Sequence, residues 1–134
     1  MIVNAKGDGV IVFLVSLFGA LGVALRFGVN SWMSSVSHFW ATVVVNLLGC
    51  FLAGVLFAYF RGQPTVLVPG AVKTALVIGF LGGLTTFSSF ALDTMRLLER
   101  GAYGMALTNV VGQNLAGLLL CAAGLFIGKM LVSS

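Results

Sequence analysis

The sequence predicts an all-α integral membrane protein of four spanning helices, the third of them broken near mid-membrane. Three observations predict it. Hydrophobic residues fill 60% of the 134 positions and charged residues only 7%, with a mean hydropathy of +1.14, which is more apolar surface than a soluble domain of this size can bury. Four runs reach the roughly 20 mostly apolar residues that a helix needs to cross a bilayer. The third run carries, near its centre, Gly79-Phe80-Leu81-Gly82-Gly83-Leu84-Thr85-Thr86-Phe87-Ser88-Ser89-Phe90, with three glycines and four hydroxyl residues in twelve positions.

The spans are placed at residues 10–29, 39–60, 71–98 and 103–132, joined by short loops, so that residues 1–134 form one membrane domain. No small-residue cleavage motif closes the first run, so it is kept as a membrane helix rather than a removable signal. After it comes the polar stretch Asn30–His38, where Trp32 and Trp40 are placed as interfacial anchors and His38 as a solvated loop residue. The second run ends at Tyr59-Phe60-Arg61-Gly62-Gln63-Pro64, an aromatic and basic interface followed by a helix breaker. Pro69 precedes the third run, which leaves the membrane through Asp93, Arg96, Glu99 and Arg100, charges spaced to pair locally along a helix. Gly101 is the expected stop. The fourth run is rich in Gly, Ala and Leu, with Lys129 near its end.

A glycine inside a helix costs about 1 kcal/mol relative to alanine, and Ser and Thr offer the backbone competing hydrogen bonds. Irregular backbone survives in a bilayer only where protein or water surrounds it. The Gly82–Thr86 region therefore reads as a break, of the kind that marks ion or substrate sites in discontinuous membrane helices. Gly79 and Gly83 also form a small-xxx-small pair, so a packing seam is the other reading. Residue types alone leave both open.

Charge distribution bears on topology. The side that holds both termini carries Lys6, Arg61, Lys73 and Lys129; the other carries Arg96 and Arg100, with Arg26 if it reaches that interface. So even a balance leaves the positive-inside rule little to act on, and the chain is expected to insert both ways and to form an antiparallel homodimer. The net charge of +4 comes from scattered single residues, so no nucleic-acid partner is expected. Cys50 and Cys121 lie inside apolar runs without CxxC spacing or a nearby His and read as small buried hydrophobes.

Polar residues within spans are costly and are functional candidates by default. Asn46 lies within Val43-Val44-Val45-Asn46-Leu47-Leu48-Gly49, where its amide could donate to an anion or tie two helices together. Asn109 and Gln113 share one face of the fourth helix, while Asn114 points about 100° away; a polar track and interhelical bonding are both open. Arg26 ends the apolar part of the first run and is expected to cap a vestibule or to reach headgroups. Phe87 and Phe90 share a face with Ser88 between them. Phenyl edges are positive, and rings turned inward, with an amide, hydroxyls and half-helix amides, would suit a small anion without a full charge to hold it too tightly. Asp8, Asp93 and Glu99 are placed at flanks, which argues against a proton-coupled exporter, and nothing pairs a nucleophile with a base, so no enzyme is expected.

Val45-Asn46-Leu47-Leu48-Gly49, Gly82-Gly83-Leu84-Thr85-Thr86-Phe87-Ser88-Ser89-Phe90 and an arginine late in the first helix together resemble the Fluc (CrcB) family of fluoride channels, over all four spans. The resemblance implies an antiparallel homodimer in the bacterial inner membrane, with two passive fluoride-selective pores that relieve fluoride toxicity. It implies that Phe87 and Phe90 line the pores, with Ser88 the hydroxyl between them and Asn46 the pore amide; Asn109 and Gln113 would belong to the polar track of the fourth helix. It further implies a structural sodium ion on the dimer axis, held by the backbone carbonyls of Gly82 and Thr85. The other readings are a small multidrug-type exporter and a non-transporting scaffold built on glycine seams.

Overall fold

Long apolar runs free of proline form helices in a bilayer because every backbone group must be satisfied within its own segment. The computed structural model describes residues 5–33, 38–62 and 68–133. Its elements are α1 (Ala5–Trp32), α2 (His38–Gly62), α3 (Gly70–Thr74), a π-helical segment (Ala75–Leu81), α4 (Gly82–Leu84), α5 (Phe87–Glu99) and α6 (Tyr103–Ser133). Four helical stretches are long and apolar enough to span a membrane: Asp8–Trp32, His38–Gly62, Gly70–Glu99 and Tyr103–Val132. The chain is a multi-pass membrane protein. α1 runs on through Asn30 and Trp32, and His38 opens α2, so much of the polar stretch assigned to a loop is helix. Ser34–Ser37, the Gln63–Pro64 turn and the Lys6 side chain lie outside the described residues.

Helix ends follow local chemistry. Pro69 sits just before α3, and its carbonyl accepts from Val72 and Lys73 at 3.0 and 3.2 Å. α5 ends on Gly101 at φ +71, with the Gly101 amide donating to Leu98 and the Ala102 amide donating to Leu97. This left-handed stop is one that a Cβ would strain.

Two helix pairs make up the molecule. α1 packs on the first half of the third span, the π segment and α4, whereas α2 packs along α6. Both seams are made by glycine, because without water to expel, helices associate in lipid chiefly through close packing. A Cβ on Gly79 would stand 2.6 Å from the Val15 carbonyl oxygen, and one on Gly83 would stand 2.5 Å from that of Gly19. On the other seam, Gly54 faces the Cys121 carbonyl and Gly124 faces that of Phe51, both too closely for any side chain. The core is accordingly small: Ala41, Val45, Ala58, Ala75, Leu81, Leu84 and Ala106. Both readings of the glycine-rich stretch therefore hold at once. Gly79 and Gly83 form a seam, and the helix breaks two residues after Gly83.

The break lets the third span change partners. Thr85 (φ −85, ψ 157) and Thr86 (φ −150, ψ 108) are extended, and beyond them α5 leaves α1 and packs on α6 and α2. Residues 85 and 86 lie at the middle of the Gly70–Glu99 span.

Asp93 lies near the end of the third span, but it is covered by protein. It is only 7% exposed, and Arg96 one turn on lies 3.4 Å from its Oδ1. Asp93 shares a cavity with His38, Phe39 and Trp40 at the start of α2 and Met105 at the start of α6.

Valine at Gly54 or Gly22 is expected to destabilise the folded protein by about 1–3 kcal/mol or more each, since backbone rather than a movable side chain blocks the new atoms. Alanine at Gly9, which has open space around it, is expected to leave the thermal midpoint in detergent unchanged or slightly raised. Equal midpoints for all three variants would refute the seam assignment.

Candidate functional site

The site starts from a backbone debt. Opening the helix at Thr85–Thr86 frees several amides and several carbonyls that hydrocarbon cannot satisfy. Asn46 of α2 settles part of it. Its Oδ1 accepts from the Thr86 amide at 2.8 Å, and its Nδ2 donates to the Thr86 carbonyl at 3.2 Å. One side chain thus pairs with both polar groups of one broken residue, as a neighbouring strand would. Thr86 in turn caps α5: its Oγ1 accepts from the Ser89 amide at 3.1 Å, donates to Ser89 Oγ at 3.0 Å, and lies 3.2 Å from Ser88 Oγ.

From Asn46 a directed chain of hydrogen bonds runs between the helices. Asn46 Nδ2 also donates to Gln113 Oε1 at 3.4 Å. Gln113 Nε2 donates to Asn109 Oδ1, and Asn109 Nδ2 donates to Thr94 Oγ1 at 2.9 Å. Thr94 then donates to the Phe90 carbonyl, also at 2.9 Å. Asn109 is 3% exposed, and Asn46, Thr94 and Gln113 are half-buried. Asn114 takes no part; it is exposed and donates to Val110 of its own helix.

Asn46, Gly82, Thr85, Phe87, Phe90 and Gln113 line one cavity of about 500 Å³. Asn109 lies outside it, on a second and more apolar cavity of about 240 Å³, which Gln113 also reaches. The rings of Phe87 and Phe90 are 5.4 Å apart and tilted by 38°. Phe87 is 79% exposed, turned away from its own chain.

Arg26 reaches the break. Its Nη1 donates to the Thr85 carbonyl at 3.4 Å, which brings a full positive charge to the break where none was expected. The carbonyls of residues 82–85 lose their helical donors at the break, and for two of them the replacement is visible. The Gly82 carbonyl would accept from the Thr86 amide, which Asn46 has taken; the Thr85 carbonyl would accept from the Ser89 amide, which Thr86 Oγ1 has taken. Gly82 is exposed, and nothing in its own chain approaches its missing Cβ.

Sequence reasoning passed over Thr86 and Thr94 as individual residues. Thr86 had a usable signal, a hydroxyl residue immediately before a helical run. Thr94 had none, because its partner Asn109 lies fifteen residues away across a turn. Leucine at Asn46 strands the Thr86 amide, while the Thr86 carbonyl keeps its place as acceptor in the first turn of α5, and is expected to cost about 1–3 kcal/mol. Alanine at Gln113 leaves both Thr86 bonds intact and is expected to cost less. Thermal unfolding followed by size-exclusion chromatography would rank them, and an unaltered Asn46→Leu midpoint would refute the repair role.

Comparison with known proteins bears on this arrangement. Residues 13–125 match the model of the family described as CrcB-like protein, Camphor Resistance (CrcB). A protein of Stutzerimonas stutzeri (strain A1501) is 47% identical over 121 residues, covering 88% of this chain and 96% of its own. One of Azotobacter vinelandii (strain DJ) is 47% identical over 119 residues, covering 87% and 94%. A third, from Pseudomonas fluorescens (strain Pf-5), is 45% identical over 123 residues, covering 90% and 98%. All three bear the name fluoride-specific ion channel FluC. With a family match over most of its length and relatives this close end to end, the chain belongs to the CrcB family.

Proposed function

We propose that this chain is a passive, fluoride-selective ion channel of the bacterial inner membrane, which lets toxic fluoride leave the cytoplasm. The observation that carries the reading is the opening of α5 at mid-membrane beside a half-buried track of amides. A helix N-terminus presents unpaired amides and about half a positive charge, and Arg26 adds to the positive field at the break. An anion arriving there meets the Phe87 and Phe90 edges, Ser88 Oγ and the Asn46 amide. Asn46 Nδ2 is already committed twice, to Thr86 and to Gln113. The bond to Gln113 is the longer, and fluoride, a stronger acceptor than an amide oxygen, replaces it. Gln113 and Asn109 then extend the path toward Thr94. The contacts are numerous but individually modest, as conduction requires.

The working unit is an antiparallel homodimer with two pores. The exposed face that carries Gly82, Phe87 and Ser88, with Thr85 half-buried beside it, suits a second copy of the chain, whose own rings would complete each pore. The released Gly82 carbonyl and the lone pair of the Thr85 carbonyl that Arg26 leaves open suit a hard cation, and a structural sodium ion would be held there by both copies, supplying charge that binds the two open helices together. Gly82 is then glycine for the sake of the partner rather than of its own chain.

The exporter reading rests on Asp93, the one carboxylate buried among the described residues, yet Arg96 already sits on it. The test is fluoride release from proteoliposomes with the voltage clamped by a potassium ionophore. Fast fluoride release without chloride release and without a pH gradient is expected. Phe87→Ile and Asn46→Asp are each expected to lower it at least a hundredfold while the dimer persists on size exclusion. Release that needs a proton gradient would favour the exporter, and full flux in both variants would favour a scaffold. Exchange of sodium for N-methylglucamine is expected to slow release, and returning sodium to restore it; indifference to sodium would remove the ion from the proposal.

A further inference from the structure

α2 and α6 run parallel, so their C-terminal ends reach one membrane edge together; at that end a Cβ on Gly62 would overlap Val132. Between the two ends lies a cavity of about 640 Å³, remote from the broken helix. Arg61 and Lys129 supply its charge, and Phe57, Leu125 and Val132 form apolar walls. Arg61 is exposed. Lys73 shares this membrane edge and donates to the Phe60 carbonyl at 3.3 Å, with its ammonium 5.6 Å from the Phe60 ring.

We propose that this cavity binds an anionic phospholipid, with its phosphate between Arg61 and Lys129 and the start of an acyl chain along Phe57 and Leu125. The chemistry favours a lipid over a small ion. A guanidinium meets a phosphate through two parallel bonds, and an ammonium adds a point charge. The volume equals roughly twenty water molecules of liquid, so a fluoride ion there would stay hydrated and gain only screened attraction. A phospholipid instead fills the space, and its tail covers the apolar walls. Tyr59 and Phe60 set this end at the depth where aromatic side chains meet headgroups. Basic pockets between spanning helices are recurrent sites for anionic headgroups.

The test is titration of the purified channel in detergent with phosphatidylglycerol or phosphatidylcholine, read by native mass spectrometry. Phosphatidylglycerol is expected to be retained at about tenfold lower concentration than phosphatidylcholine, and the Arg61→Gln/Lys129→Gln double variant to lose that preference. Arg100→Gln, at the opposite membrane edge, is expected to keep it. Glycerol phosphate, a headgroup without a tail, is expected not to displace the lipid. Equal retention of the two lipids, or unaltered phosphatidylglycerol binding in the double variant, would overturn the proposal. Displacement by glycerol phosphate would overturn it in favour of a free-phosphate site. A double variant that keeps its lipid yet conducts fluoride more slowly would make the cavity an anion mouth instead.

Discussion

The structure depends on one constraint: a backbone opened inside a bilayer must be repaired by side chains, because no water is there to do it. The repair is local and stoichiometric. Asn46 pairs with both polar groups of Thr86, and Thr86 caps the helix that follows. Each repair also leaves something unpaired. By taking the Thr86 and Ser89 amides, these two side chains release the Gly82 and Thr85 carbonyls, so the bonds that stabilise the break create oxygen atoms in need of another partner. Arg26 meets one of them at 3.4 Å.

The break also decides how the helices pair. Ahead of it the third span lies against α1, near enough that only glycine fits at Gly79 and Gly83. Beyond it α5 lies against α6 and α2, where Thr94 meets Asn109. A continuous helix would follow one axis and serve one neighbour. Two extended residues let a single span join two tight pairs, and that redirection brings Thr94 to Asn109.

Asn46 shows why interhelical glue and ion ligand need not be rival roles. Its carbonyl oxygen and one N–H hold the broken backbone, while its second N–H points to Gln113 through a longer bond. A side chain fixed by two bonds is already oriented for whatever the third meets, so no ordering entropy remains to be lost when a ligand arrives.

Much of this was legible in the residues. Four apolar runs determine four helices, because in hydrocarbon a helix is the only way such a run can satisfy itself. Three glycines and four hydroxyls in twelve positions place the interruption, and the Asn109–Gln113 spacing puts two amides on one face by helix geometry alone. The π segment, the bond from Arg26 to Thr85, the burial of Asp93 and the part played by Thr94 were not legible. Each depends on a partner across a helix crossing, and a crossing is set by how closely two backbones can approach. Local pattern determined which segments are helical and where one of them fails; only the packing of glycine against backbone decided which polar atoms the failure brings together.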